Sequence, residues 1–461
     1  MGGRRAAAAA ALFTLVAACT FSREAVVSRH ELLKPLPAGL VNSYNVEEQL
    51  RLGYVPEVLE FLGTSGGRSL DSTRFLRILG QALLERGDSR AARSPLERAH
   101  GEEGRLAARA DLAWMLAQAH WFQGDLAEAA RWARTARAQG LKLPEGWITF
   151  LESGAGKGVY GGSGAGERLA VPLLYGKPEI PRVSVSVNGH EADSFVFDTG
   201  ASMSLVTESS AARFGIVPVA GAVAGGYGLH RVEFPMRFGW AGTFRLGAIT
   251  LLDVPFGIVP DDALTFTTLH TGEFRFDGVL GVHLLRQFDW RIEYSGRRLY
   301  GVRLDPASPR GSQGQNLFLR RLKPMVRVSV DQKPWFLFLF DTGSEPTMLT
   351  RPGVRRGRLG GGEANYPMTL EGIGQSRVSW GKISNVAIGA DRWMVRFRDL
   401  VVKEEPDGLE EGVLGSSFLS SFDVEVRFGA MRLALESPLE RLLQAEPGGL
   451  PAGIPRPPGT P

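Results

Sequence analysis

The sequence predicts two joined architectures: an all-α domain of helical repeats over residues 40–152, then an all-β domain built as two similar lobes over 169–446. Three observations carry this. Apolar residues recur at helical spacing through an Ala-, Leu-, Arg- and Glu-rich first third. Beyond it, short alternating apolar runs are broken by Gly, Pro and Asn turns. The β half also repeats itself, one segment returning 143 positions later. The chain has 461 residues, 44% hydrophobic and 22% charged, which is ordinary for a globular protein of more than one domain. A single cysteine excludes an internal disulfide framework and any Cys-based zinc cluster.

The N-terminus comes first. Arg4 and Arg5 precede an apolar run from Ala6 to Ala18 interrupted only by Thr14. The run is shorter than the ~20 residues that span a bilayer, so residues 1–18 read as a signal peptide. Its end, Leu15-Val16-Ala17-Ala18-Cys19, resembles a bacterial lipobox. That resemblance implies cleavage before Cys19, a lipid on its sulfur, and a protein anchored in the bacterial cell envelope, facing the periplasm or the exterior. The other reading is ordinary secretory cleavage after Ala18. Residues 19–39 read as a tether. Removing 1–18 takes two Arg and no acid, so the formal charge falls from +4 to +2. That leaves nucleic acid no electrostatic motive for binding.

The helical segment, 40–152, contains a repeat. Leu79-Gly80, Gly87, Ala92, Leu96 and Ala99 return 37 positions later as Leu116-Ala117, Gly124, Ala129, Ala133 and Ala136. Gly53, followed by Val58 and Leu62, is a weaker earlier copy. Small residues where helices touch and a glycine at the turn resemble tetratricopeptide repeats, whose usual period is about 34. The resemblance implies a surface for a protein partner. A generic array of helical hairpins is the alternative. Residues 153–168 hold the half-glycine run SGAGKGVYGGSGAG, expected to be a flexible linker. It lacks the Lys-Ser/Thr pair and the preceding strand of a phosphate-binding loop.

The β region is a duplication, with lobes expected at 169–304 and 316–446 and a joining segment at 305–315. Val183-Ser-Val-Ser-Val187 followed by Phe195-Val196-Phe197-Asp198-Thr199-Gly200 returns as Val326-Arg-Val-Ser-Val330 followed by Phe338-Leu339-Phe340-Asp341-Thr342-Gly343. Gly278-Val279-Leu280-Gly281 matches Gly412-Val413-Leu414-Gly415 at an offset of 134, so nine extra residues lie between the two motifs of the first copy. Glycine after each Asp-Thr permits a tight turn and close backbone approach.

Two apolar-Asp-Thr-Gly motifs, each with its own Val-Leu-Gly partner, resemble the aspartic proteases of the pepsin and retroviral-protease clan, and bacterial retropepsin-like proteins above all. The resemblance covers about 170–436. It implies a two-lobed β fold with Asp198 and Asp341 as a catalytic dyad. Thr199 and Thr342 would hydrogen-bond across a pseudo-twofold axis, and Leu280 and Leu414 would pack beneath. It implies a peptide or protein substrate and a monomer, since one chain holds both aspartates, with no cofactor and no metal. Two carboxyls a few ångströms apart share a proton, the arrangement needed to activate water. A β-hairpin flap is implied in each lobe, with Gly225, Gly226 and Tyr227 as candidates in the first and Gly372 and Gly374 in the second. Tyr227 either donates over a bound peptide or faces solvent.

The second copy departs from the pattern. Ser344 follows Gly343 where Ala201 follows Gly200, and its hydroxyl is expected to favour an ionised carboxylate and make the dyad asymmetric. Glu345-Pro346 places a third acid and a residue without an N–H beside the loop. This leaves room for a reading of another class, a non-catalytic envelope lipoprotein that binds a peptide or partner. The seven histidines form no HExxH, and His283 is expected on a helix surface. There is no GxSxG elbow. Ser437-Pro438 opens a short helix to Gln444, and 447–461 read as a disordered Pro/Gly-rich tail. A fragment from about 168 to 446 is expected to carry peptidase activity alone.

Overall fold

The computed structural model describes residues 26–29, 39–175, 180–227, 233–268, 272–311, 314–359, 366–370, 376–403 and 410–438. The helical part contains α1 Val46–Arg51, α2 Val55–Leu62, α3 Ser65–Arg68, α4 Ser72–Glu85, α5 Ser89–Glu102, α6 Leu106–Phe122, α7 Leu126–Ala138 and α8 Glu145–Ser153. The sequence repeat maps onto two helical hairpins, α4–α5 and α6–α7. Gly87 (φ +85°) and Gly124 (φ +76°) make the turns in the left-handed region that disfavours a side chain. Asp88 and Asp125, also 37 positions apart, cap the second helix of each hairpin by accepting from the N–H of Ala91 (3.1 Å) and Glu128 (3.4 Å). Gly80 is small because a Cβ there would meet Leu96 Cγ at 2.5 Å.

The two lobes share one strand order. In the first it runs Gly161–Gly162, Ile249–Val259, Leu205–Thr207, Gly278–Leu280, His190–Phe197, Arg182–Val187, Glu233–Leu246, Pro218–Tyr227. In the second it runs Trp393–Lys403, Met348–Thr350, Gly412–Leu414, Lys333–Phe340, Lys323–Val330, Ser376–Ala390, Tyr366–Leu370. A five-stranded sheet (Arg432–Glu436, Asp423–Arg427, Phe288–Glu293, Arg298–Arg303, Arg168–Pro172) takes strands from both and ties them together.

The nine extra residues have a structural counterpart. Gly278 follows Val259 by 19 positions and Gly412 follows Lys403 by only nine, a surplus of ten that falls to nine because Lys403 stands 62 positions after Asp341 and Val259 only 61 after Asp198. The first lobe uses the difference for a turn at Asp261–Leu264 and a hairpin of Thr265–Thr268 with Gly272–Arg275. Ala263, Leu264 and Phe276 from this insertion cover Val196, Leu205 and Val279. The matching residues of the second lobe, Leu339, Met348 and Val413, are covered instead by Val46, Val55, Val58, Leu62, Ile78 and Ala82 of the helical domain. Arg320 donates to the carboxylate of Glu85 (2.8 Å) and to the carbonyl of Leu50 (2.7 Å). Arg327 grips Glu57 with two nitrogens at 2.9 and 2.6 Å. The helices therefore complete the second lobe's core.

Three expectations change. The glycine-rich stretch is packed: Gly161–Gly162 pairs with Leu251–Leu252, and Gly158 N–H donates to Asp253 at 3.1 Å. Glycines there serve turns at positive φ (Gly156, Gly162, Gly166) rather than freedom of movement. His283 is 1% exposed, not on a surface: it stacks on Trp121 at 4.0 Å and is 2.7 Å, by Nδ1, from the Tyr160 hydroxyl. Within the expected tether, Val26–Arg29 pairs with Trp393–Arg396 as an added edge strand. Cys19, the helix beyond Pro438 and the tail lie outside the described residues.

Candidate active site

Two matched pairs of strand ends deliver Asp198 and Asp341. His190–Phe197 runs parallel to Gly278–Leu280, and Lys333–Phe340 runs parallel to Gly412–Leu414. Each aspartate N–H donates to the last carbonyl of its partner strand, Asp198 to Leu280 (3.1 Å) and Asp341 to Leu414 (3.2 Å). Leu280 and Leu414 are buried beneath.

Each aspartate folds its own loop. Oδ1 of Asp198 accepts from the N–H groups of Gly200 (2.7 Å) and Ala201 (3.2 Å). Oδ1 of Asp341 accepts from those of Gly343 and Ser344, both at 3.0 Å. The loops are then locked across the axis by their threonines. Thr199 N–H donates to Thr342 Oγ1 and Thr342 N–H to Thr199 Oγ1, both at 3.0 Å. The hydroxyls pass on to the opposite lobe, Thr199 to the Phe340 carbonyl (2.8 Å) and Thr342 to that of Phe197 (2.6 Å). Both threonines are fully buried.

The requirement for glycine is reciprocal. A Cβ on Gly200 would lie 2.4 Å from Cγ of Asp341, and one on Gly343 would lie 2.4 Å from Cγ of Asp198. Each loop's glycine makes room for the other loop's carboxyl. The two carboxyls thus face one another closely enough to share a proton in a mutual bond. Burial, the facing Asp341 charge and that mutual bond hold Asp198 well above the usual carboxylate range, against the pull of the Gly200 and Ala201 amides. Burial also raises Asp341, opposed by its bond to Asp198 and by the charge of Lys323.

Residues 183–284 match the aspartyl protease family. The matched span carries Asp198, Thr199, Gly200 and the Gly278–Gly281 motif, and stops short of the second lobe. Among solved structures, an aspartic proteinase from Irpex lacteus is similar at 12% identity and a TM-score of 0.34, over 59% of this chain and 97% of its own. No curated protein matches the chain.

Of the residues singled out from sequence, Asp198, Thr199, Gly200, Asp341, Thr342 and Gly343 converge on this one point. Ser344 acts differently from expectation. Its N–H serves Asp341, but its hydroxyl donates to the Pro346 carbonyl at 3.0 Å and not to the carboxylate. Glu345 is exposed, and the loop through Pro346 keeps the same amide bonds to its aspartate as the first copy.

Gly225, Gly226 and Tyr227 lie on the outgoing strand of a hairpin, opposite Pro235, Phe234 and Glu233. Gly226 is small because the Phe234 ring crosses it, 2.3 Å from where a Cβ would be. The Tyr227 side chain lies outside the described residues, as do Gly372 and Gly374 between the strands Tyr366–Leu370 and Ser376–Ala390.

The sequence reading missed Ser204 and Thr347. Both stand six positions after their aspartate and accept, at 3.1 Å, from the N–H of Gly281 and Gly415 respectively. The 143-position offset carried that signal, disguised by the change from Ser to Thr. Among the described residues, no three His, Cys, Asp or Glu side chains group as metal ligands.

Proposed function

We propose that the protein is an aspartic endopeptidase held at the bacterial cell envelope by a lipid on Cys19. The observation that carries the hydrolytic reading is the facing pair Asp198–Asp341, each carboxyl lodged against the other loop's glycine, on loops whose threonines lock each other. Like charges so close are costly, so the pair retains one proton between them. The ionised member takes a proton from a bound water, whose oxygen attacks the scissile carbonyl carbon. The protonated member donates to the carbonyl oxygen. Collapse of the tetrahedral intermediate then breaks the C–N bond, with a proton passing to the leaving amine. The two protonation steps belong to the pair rather than to either residue. The anchor rests on residues 1–19, whose charge, apolar run and Cys19 form a lipoprotein signal.

The test uses the full-length chain in detergent micelles with a library of unfolded peptides between pH 3 and 8. Cleavage is expected, with Asp198→Asn and Asp341→Asn each lowering it by about a thousandfold or more. The rate should fall as pH rises past the elevated titration of the pair and both carboxyls ionise. Unchanged turnover in Asp341→Asn would overturn the two-aspartate mechanism. Mass spectrometry of the mature N-terminus decides between a diacylated Cys19 and plain cleavage.

A further inference from the structure

Helix α8 lies against the first-lobe hairpin with backbone touching backbone. A Cβ on Gly146, in its first turn, would sit 1.9 Å from the Val223 carbonyl oxygen and 2.2 Å from the Val223 nitrogen. Further along the helix, Phe150 stacks on Phe238 (4.7 Å between ring centres) and on Trp240 (4.9 Å). Trp147 meets Phe238 edge-on at 5.3 Å. Trp240 Nε1 donates to Ser153 Oγ at 2.9 Å. Ala222 and Phe238, both fully buried, belong to the core of the helical domain, and Met203, five positions after Asp198, packs on the same core.

Among the described residues, strand Pro218–Tyr227 ends its sheet with Glu233–Leu246 as its one strand neighbour. From Arg237 on, the returning strand is also paired to Ile249–Val259, so only the outer part, 223–227 with 233–236, is a two-stranded arm. Such an arm is marginally stable alone. Here the outgoing arm rests on Gly146, and the returning arm is held through Phe238 and Trp240 by the same helix.

We infer that α8 is a positioning element for the active site: Gly146, Trp147 and Phe150 fix where the first-lobe hairpin stands. The inference rests on the protease reading, which assigns that hairpin to the substrate side of the aspartates. The helical domain is then part of the enzyme's substrate-binding apparatus, and not only a surface for partners.

Gly146→Ala in the full-length chain is the test. Alanine favours helix over glycine, so α8 persists while the added methyl forces the hairpin away. KM for a cleaved peptide should rise about tenfold with kcat within about twofold, as displacement of a substrate-holding element implies. Hydrogen exchange should quicken in residues 218–226 and 234–240. Trp147→Ala should repeat both effects and Trp147→Phe, which keeps an edge-on ring, should restore them. Unchanged KM together with unchanged exchange in Gly146→Ala would overturn the inference. Absence of turnover in the unaltered chain would instead overturn the protease reading. The exchange measurement then still decides whether α8 holds the hairpin.

Discussion

Asp198 and Asp341 are each pushed toward the neutral form, which links their protonation to the stability of the fold. A carboxyl whose folded pKa lies above its unfolded value binds its proton more tightly in the folded state. Its stabilising share is complete below the usual Asp value of 3.8 and is lost as pH rises through the elevated folded value. At neutral pH the pair therefore weakens the fold. Asp198→Asn removes one charge from the pair and should stabilise the chain at pH 7 by about 1 kcal/mol or more. In denaturant titrations the gain should shrink toward pH 4, and a gain independent of pH would contradict the mutual repulsion. Thr199→Val works in the opposite direction. It leaves the Thr342 N–H and the Phe340 carbonyl without their buried partner and should cost about 2–4 kcal/mol.

These residues were legible because the duplication writes them twice. Two Asp-Thr-Gly turns at one offset carry their own cross-check, which Ser204 and Thr347 lost when the hydroxyl residue changed type. Ser344 was misread because its N–H, not its hydroxyl, is what the carboxyl needs.

Single elements were legible where their periodicity or turn chemistry is local. The repeated helices and the two β lobes follow from spacing, since local pattern and final fold agree there. The packed segment 153–168 and His283 were not legible, because what buries them arrives from elsewhere in the chain. Tyr160 belongs to a glycine-rich run that reads as a flexible linker, yet it is buried with its hydroxyl 2.7 Å from His283. Trp121, at the end of α6, closes the other side of the imidazole.

Burial, with the nearby Arg286 charge, lowers His283 to about 3 from its usual 6.5. A histidine depressed in this way favours the fold fully above pH 6.5, and that share is lost as pH falls toward 3. This junction therefore loosens in acid, where the aspartate pair is most comfortable. His283→Phe keeps a ring against Trp121 and removes the titration. Its unfolding free energy should decline less steeply than the parent's between pH 6.5 and 4, and parallel slopes would show that His283 takes up its proton alike in the folded and unfolded chain.

At the scale of the whole molecule the two lobes have the same topology but different covers. The first closes the outer face of its central strands with its own hairpin insertion, and the second borrows α1, α2 and α4. The duplication made the lobes look self-sufficient. Their dependence on the helices was hidden because amphipathic helices and alternating strands do not name the surface they cover.

The consequence bears on the fragment 168–446, which sequence alone presents as an independent enzyme. Cut free of the helices, it bares Phe318, Met325, Leu337, Leu339, Met348, Val401 and Val413 as one apolar face. It also strands Arg320 without Glu85, and both of those side chains are 8% exposed in the intact chain. The fragment should aggregate on expression, and co-expression with residues 39–167 should return it to solution. A milder probe keeps the chain whole. Val58→Asp sets an unpaired carboxylate into that interface and should lower stability by about 3 kcal/mol or more. Its counterpart at an exposed position of the same helix, Glu60→Gln, should change stability by less than about 0.5 kcal/mol. If fragment 168–446 is instead soluble and monomeric with the intact chain's melting temperature, the second lobe closes its own core and the helices are an appendage.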